Sequence, residues 1–105
     1  MENKKQCFES IFILNANLSN EELEKLQDEL ENKIKSYGAN ITLKVSHNIR
    51  RLAYDIKGHS KGYFIEYDFC FDDTTQEEAT SKTGSLNVFF KNCKNIIKHI
   101  IIKGE

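Results

Sequence analysis

The residues with most to offer chemically lie close together: Ile49-Arg50-Arg51-Leu52-Ala53-Tyr54 and, after a turn, Lys61-Gly62-Tyr63-Phe64-Ile65-Glu66-Tyr67. Guanidinium groups donate to phosphate oxygens and tyrosine rings stack on bases, so paired arginines and tyrosines on consecutive strands make a binding surface. They point to no obvious reaction. Strand alternation sends Arg50 and Arg51 to opposite faces, so each either meets a nucleic acid or pairs with an acid such as Asp55 or Glu66. Both lie on one surface only if the strand is bulged or twisted there. Tyr54 and Tyr63 read equally as rim or core aromatics.

Little else in the chain suggests catalysis. His47, His59 and His99 are too scattered for a metal site or a nucleophile pair. Cys7, Cys70 and Cys93 are odd in number, and none stands at metal-ligand spacing from another cysteine or from a histidine. They are expected to be reduced structural thiols in a reducing compartment. No metal and no cofactor is expected.

A chain of 105 residues, 39% of them hydrophobic, is expected to form a single domain over residues 1–105 with one modest core. Its longest aliphatic run, Ile100-Ile101-Ile102, is far short of a membrane span, and Met1 to Gln6 lacks the apolar segment of a secretory signal. A net charge of −1 looks wrong for a nucleic-acid binder, but the charges are segregated. Five cations (Lys44, Arg50, Arg51, Lys57, Lys61) stand against Asp55 alone between Lys44 and Lys61, and four lysines face no acid from Lys91 to Lys103. The acids gather in Glu21 to Glu31 and Glu66 to Glu78. Such a chain can present a basic face while its sum stays near zero.

The hydrophobic period predicts the elements that hold these groups. Phe8 to Leu14 alternates as a strand that is apolar on both faces. Ser19 with Glu22 forms a capping box, with Leu18 and Leu23 as its hydrophobic staple. Leu23, Leu26, Leu30, Ile34 and Tyr37 then make one helical stripe, closed by Gly38. Ile41, Leu43 and Val45 begin a second strand that runs to Ile56, and Lys57-Gly58-His59-Ser60 turns into a third carrying Tyr63, Ile65, Tyr67, Phe69 and Phe71. The polar stretch from Asp72 to Lys82 reads as a solvated loop insertion or a frayed helix start, to be shortened without harm to the fold. Leu86, Phe89, Phe90 and Cys93 return to helical spacing, and Ile96 to Ile102 suits a buried strand.

The order β-α-β-β-α-β gives an α+β, ferredoxin-like sandwich, a four-stranded antiparallel sheet with two helices on one face. If the helices cover Phe12, Leu14, Tyr67 and Phe69, then Ile11, Ile13, Phe64 and one parity of the final isoleucine run fall on the open face. An apolar patch there needs a cover, a protein partner or a second copy.

From about Phe8 to Lys103 the chain resembles the family of the sixth protein of the bacterial-type small ribosomal subunit. The likeness rests on Phe12-Ile13-Leu14-Asn15, Tyr37-Gly38-Ala39, and above all Arg50-Arg51-Leu52-Ala53-Tyr54 with Gly62-Tyr63. The resemblance implies a non-catalytic protein of the ribosome that binds a junction of small-subunit ribosomal RNA together with a small basic partner, ribosomal protein S-eighteen. It carries RNA contact to Arg50, Arg51, Tyr54, Tyr63 and Lys103, and Phe8 stands where the family often has tyrosine. Lys98, on an acid-free strand, joins this RNA-binding set, while Ile11, Ile13 and Phe64 are the expected partner contacts. The chain departs from the family at Asn48, where glycine is usual, at Asp55, where proline is usual, and at His99, where an aliphatic residue is usual.

Two rivals share the strand order. An RNA-recognition motif needs Tyr63 on the open face, in phase with a second aromatic, whereas Tyr63 is in phase with the core positions Tyr67 and Phe69. A small phosphatase needs a loop of backbone amides and an arginine after the first strand, and Asn15-Ala16-Asn17 has no glycine and no arginine near it.

Overall fold

A computed structural model describes residues 4–104. Six elements follow in order: β1 (Lys4–Asn15), α1 (Asn20–Ser36), β2 (Ala39–Ile56), β3 (His59–Thr74), α2 (Gln76–Lys91) and β4 (Ile96–Lys103). All pairings are antiparallel in the sheet order β2-β3-β1-β4, so β1 and β3 are central and β2 and β4 form the edges. This is the ferredoxin-like arrangement. No helix among the described residues is long and apolar enough to cross a membrane.

Each end of α1 is set by local chemistry. The Ser19 hydroxyl accepts from the Glu22 amide at 3.1 Å, and the Glu22 carboxylate accepts from the Ser19 amide at 3.0 Å. Gly38, at φ +88°, takes the left-handed conformation that lets the chain turn out of the helix. Leu23, Leu26, Leu30 and Ile34 are buried against the sheet beside Phe12, Leu14, Ile65, Tyr67 and Phe69.

The stretch from Asp72 to Lys82 is not a loop insertion. Asp72 to Thr74 ends β3, and from Gln76 the chain is helical. The Thr75 side chain accepts from the Glu78 amide at 3.1 Å, and Ala79, Thr83, Leu86 and Phe90 form the buried stripe of α2. An alanine and a threonine stand in the first half of that stripe, which hides its period from a hydrophobicity pattern. The Thr83 hydroxyl escapes the cost of burial by donating to the Thr80 carbonyl at 2.9 Å.

The expectation of reduced thiols fails for two of the three cysteines. Cys7 and Cys70 pair directly across β1 and β3, and a disulfide joins them. They are 63 positions apart in sequence, so only the strand register brings them together. Cys93 is free, its Sγ donating to the Phe89 carbonyl, and burial pushes its thiol pKa up.

Bulges decide where β2 points its side chains. The pairing with β3 shifts between Ile41 and Leu43 and again between Ser46 and Asn48. Asn48 sits at φ +63°, a conformation glycine adopts freely and asparagine better than most residues, which accounts for the departure at this position. Beyond Gly62, opposite Asn15, β3 has no further rung with β1, so the tip of the β2–β3 hairpin projects past the sheet.

Candidate nucleic-acid interface

The projecting hairpin carries the basic and aromatic motif. Arg50 and Arg51 are exposed, as are Lys57 and Lys61, and Tyr54 is 67% exposed. Arg50 stands opposite Gly62 on the open-face register, and Arg51 stands opposite Lys61 on the other. The Arg50 Nε donates to the His47 carbonyl at 3.1 Å, which orients the guanidinium and leaves its terminal amino groups for a ligand. Among the described residues neither arginine forms an ion pair, so the pairing with Asp55 or Glu66 left open by the sequence does not occur.

The other expected RNA contacts fall elsewhere. Phe8 is a correction: it is only 7% exposed, on the helix side of β1, with its ring against Phe69 and Phe71 at centroid distances of 5.8 and 6.0 Å. Its parity with Phe12 puts it in the core and out of reach of a nucleic acid. Tyr63 packs against the core from the same side, and its hydroxyl meets the Ser46 hydroxyl at 2.5 Å. Lys103, opposite Phe8 on β4, donates to Gln6 Oε1 at 2.6 Å. Lys98 is exposed on the open-face register, on the rung of Ile13. The predicted set is therefore not one patch: Arg50, Arg51 and Tyr54 share the hairpin, while Lys98 and Lys103 stand on the far edge strand, on opposite faces.

The open face is apolar and framed by acid. Ile13 shares a rung with Phe64, both half-buried, and Ile11 shares one with Ile100 and Glu66. Ile100 and Ile102 are the exposed parity of the isoleucine run, at 50% and 55%. Leu43 joins them because the bulge after Ile41 turns it to this side, a member the simple alternation of β2 missed. Tyr63 faces the helices and β1 brings no aromatic to the open face, so the base-stacking platform of an RNA-recognition motif is missing.

In the middle of this face the carboxylates of Glu9, Glu66 and Asp68 lie within 4.8 Å of one another. Desolvation first, then the hydrogen bond and charge of Glu66 and the charge of Glu9, push the Asp68 pKa up to about 6. His47 Nε2 is 3.7 Å from the Glu66 carboxylate. Their spread over two strands hid this trio from sequence reading; only the shared parity of Glu66 and Asp68 hinted at it. His99, by contrast, lies under α2, its ring over Phe12 and its Nε2 3.0 Å from Asn87 Oδ1, and burial then the charge of Lys57 lower its pKa.

Comparison with known proteins agrees with this architecture. Residues 7–103 match the family described as ribosomal protein S6. The small ribosomal subunit protein bS6 of Phytoplasma australiense is 33% identical over 96 residues, covering 91% of this chain and 96% of the relative. That of Clostridium kluyveri is 30% identical over 98 residues, covering 93% and 96%. The crystal structure of 30S ribosomal protein S6 from Thermotoga maritima superposes with a TM-score of 0.80 at 24% identity, covering 96% of this chain and 89% of that one, and so shares the fold. With motif, topology and relatives in agreement, this chain belongs to the ribosomal protein S6 family, bacterial-type proteins of the small ribosomal subunit.

Proposed function

We propose that this protein holds a junction of small-subunit ribosomal RNA with the β2–β3 hairpin while ribosomal protein S-eighteen covers its open sheet face, and that it acts by binding alone. The observation that carries the reading is the hairpin itself, where Arg50 stands on the last rung shared with β1, Arg51 and Tyr54 project beyond it, and neither guanidinium is spent on an acid. Free guanidinium groups suit phosphate, and an exposed phenol ring suits an unpaired base at a junction. Ile11, Ile13 and Phe64, on the opposite side of the sheet from the helices, serve the protein partner. Lys98, beside Ile13, stands at the border of that face, where RNA and partner meet.

The test is binding to a junction RNA from the small-subunit central domain, in the presence of the partner, over a range of salt. Removal of one cation–phosphate pair should flatten the log–log salt dependence by about 0.7 to 0.9. Arg50→Ala with Arg51→Ala should therefore reduce the slope by roughly 1.5 with the fold intact. An unchanged slope would assign both arginines a structural role and overturn the reading.

A further inference from the structure

The open face contains a feature that a purely apolar contact does not explain. Three carboxylates converge in its centre, and two of them, Glu9 and Glu66, line an open surface pocket of about 100 Å³ together with Ile11, Ile100 and Ile102. That is room for about three waters, or for the end of one long side chain. One oxygen of Asp68 is out of contact with solvent and has no hydrogen-bond partner. The Glu66 carboxylate, within 4.8 Å, bonds Asp68 only when the two share a proton. Like charges gathered this closely cost the free protein stability.

Each neighbouring element leaves that charge unbalanced. β1 contributes Glu9, and β3 contributes Glu66 and Asp68 themselves. From β2, His47 reaches Glu66 at 3.7 Å, and Thr42 spends its hydroxyl on the Asp68 backbone carbonyl. From β4 the residues opposite Glu9 and Ile11 are isoleucines, and the lysine on this side, Lys98, lies a rung further on beside Ile13. A pocket lined by three isoleucines and two carboxylates, with an acceptor lacking a donor on Asp68 beside it, is complementary to a side chain with an aliphatic stem and a cationic head. A nucleic-acid phosphate is repelled by it.

We propose that the pocket beside the Glu9–Glu66–Asp68 cluster receives an arginine or lysine side chain of the protein that covers the open sheet face. Its stem lies between Ile11, Ile100 and Ile102 and its head bonds the three carboxylates. The inference rests on the reading of this face as the seat of ribosomal protein S-eighteen, and it gives that contact a register and a direction that aliphatic packing alone lacks. The cation favours the ionised form of Asp68, so docking releases a proton below neutral pH, and affinity rises from pH 5 to pH 7.5.

The test is calorimetric titration of the intact protein with purified S-eighteen, at several pH values and in buffers of different ionisation enthalpy. Wild type, Glu66→Gln with Asp68→Asn, and Ile13→Asp are compared, and thermal unfolding of each free protein is measured. The charge-neutral pair should bind at least about thirtyfold more weakly and lose the proton release, while its free form melts no lower than wild type because the mutual repulsion is gone. Wild-type affinity and pH profile in that pair, with binding lost in Ile13→Asp, would overturn the pocket and leave the docking face standing. Unchanged affinity in both variants would overturn the face and the pocket together. Titration with Mg²⁺ and Mn²⁺ alone completes the set: binding that disappears in the charge-neutral pair would make this a cation site and overturn the inference.

Discussion

Tyr67 donates its phenol to the Glu31 carboxylate at 3.0 Å, joining the middle of β3 to α1. Lys44 of β2 reaches the same oxygen at 2.7 Å. Burial alone would raise the Glu31 pKa, but the hydrogen bonds from Lys44 and Tyr67 and the charges of Lys44 and Lys35 outweigh it, and the net shift is downward. Burial and the adjoining carboxylate drive the Tyr67 pKa far upward, so the phenol stays a donor throughout the working range.

A carboxyl whose folded pKa is depressed contributes stability above its unfolded pKa, and that contribution is lost as pH falls through the folded value. Glu31→Gln should therefore cost about 1 kcal/mol at pH 7, the modest figure suiting a site partly open to solvent, and almost nothing below pH 3. Urea unfolding of both proteins at the two pH values reads the difference. An equal cost at both would locate the effect in packing rather than charge.

Gly62 has no room for a side chain: a Cβ there would press into Ile13 Cγ2. Gly62→Ala should destabilise the protein by about 1–3 kcal/mol. Ile13→Ala in the same chain removes the offending methyl, so the double variant should be more stable than the sum of the single losses predicts. Additive losses in denaturant melts would mean that the glycine is needed for some other reason.

Burial of Phe8 gives it a different role from the RNA contact expected of it. Phe8→Ala should lose about 3–5 kcal/mol of stability, and folded protein should keep its affinity for junction RNA. RNA titrations well below the melting temperature, beside a thermal melt, separate the two effects.

Residues 76–82 likewise cannot be removed without harm, because Ala79 is fully buried and Thr75 caps the helix they begin. Thr75→Ala should cost about 1 kcal/mol, and excision of 76–82 should abolish cooperative unfolding. A sharp melt in the excised chain would return this segment to the status of a dispensable insertion.

These contrasts show which features a sequence discloses. The helix α1 was fully legible, since both its cap and its stripe are local and use strong signals, Ser19 with Glu22 and a run of leucines. The faces of β1 were legible because Phe12 and Ile13 alternate without a bulge. In β2 the bulge after Ile41 reversed the facing of Leu43, and α2 concealed its start behind Ala79 and Thr83. The Cys7–Cys70 link and the acidic trio depend on strand register, a property of pairs far apart in the chain. Among the site residues, the two arginines and the tyrosines lie on neighbouring strands as the spacing implied and Phe8 shares the buried parity of Phe12, whereas Lys103 could be placed only once β1 and β4 were aligned.

The link between Cys7 and Cys70 turns the polypeptide into a lariat. Its closed loop holds β1 from Cys7 onward, α1, β2 and most of β3, while α2 and β4 form the tail outside it. The loop has already given up much of its freedom before folding, so the ordering entropy still to be lost is concentrated in the tail. That tail ends in an edge strand joined to the sheet only through β1. Whatever loosens that strand leaves the covalent ring untouched.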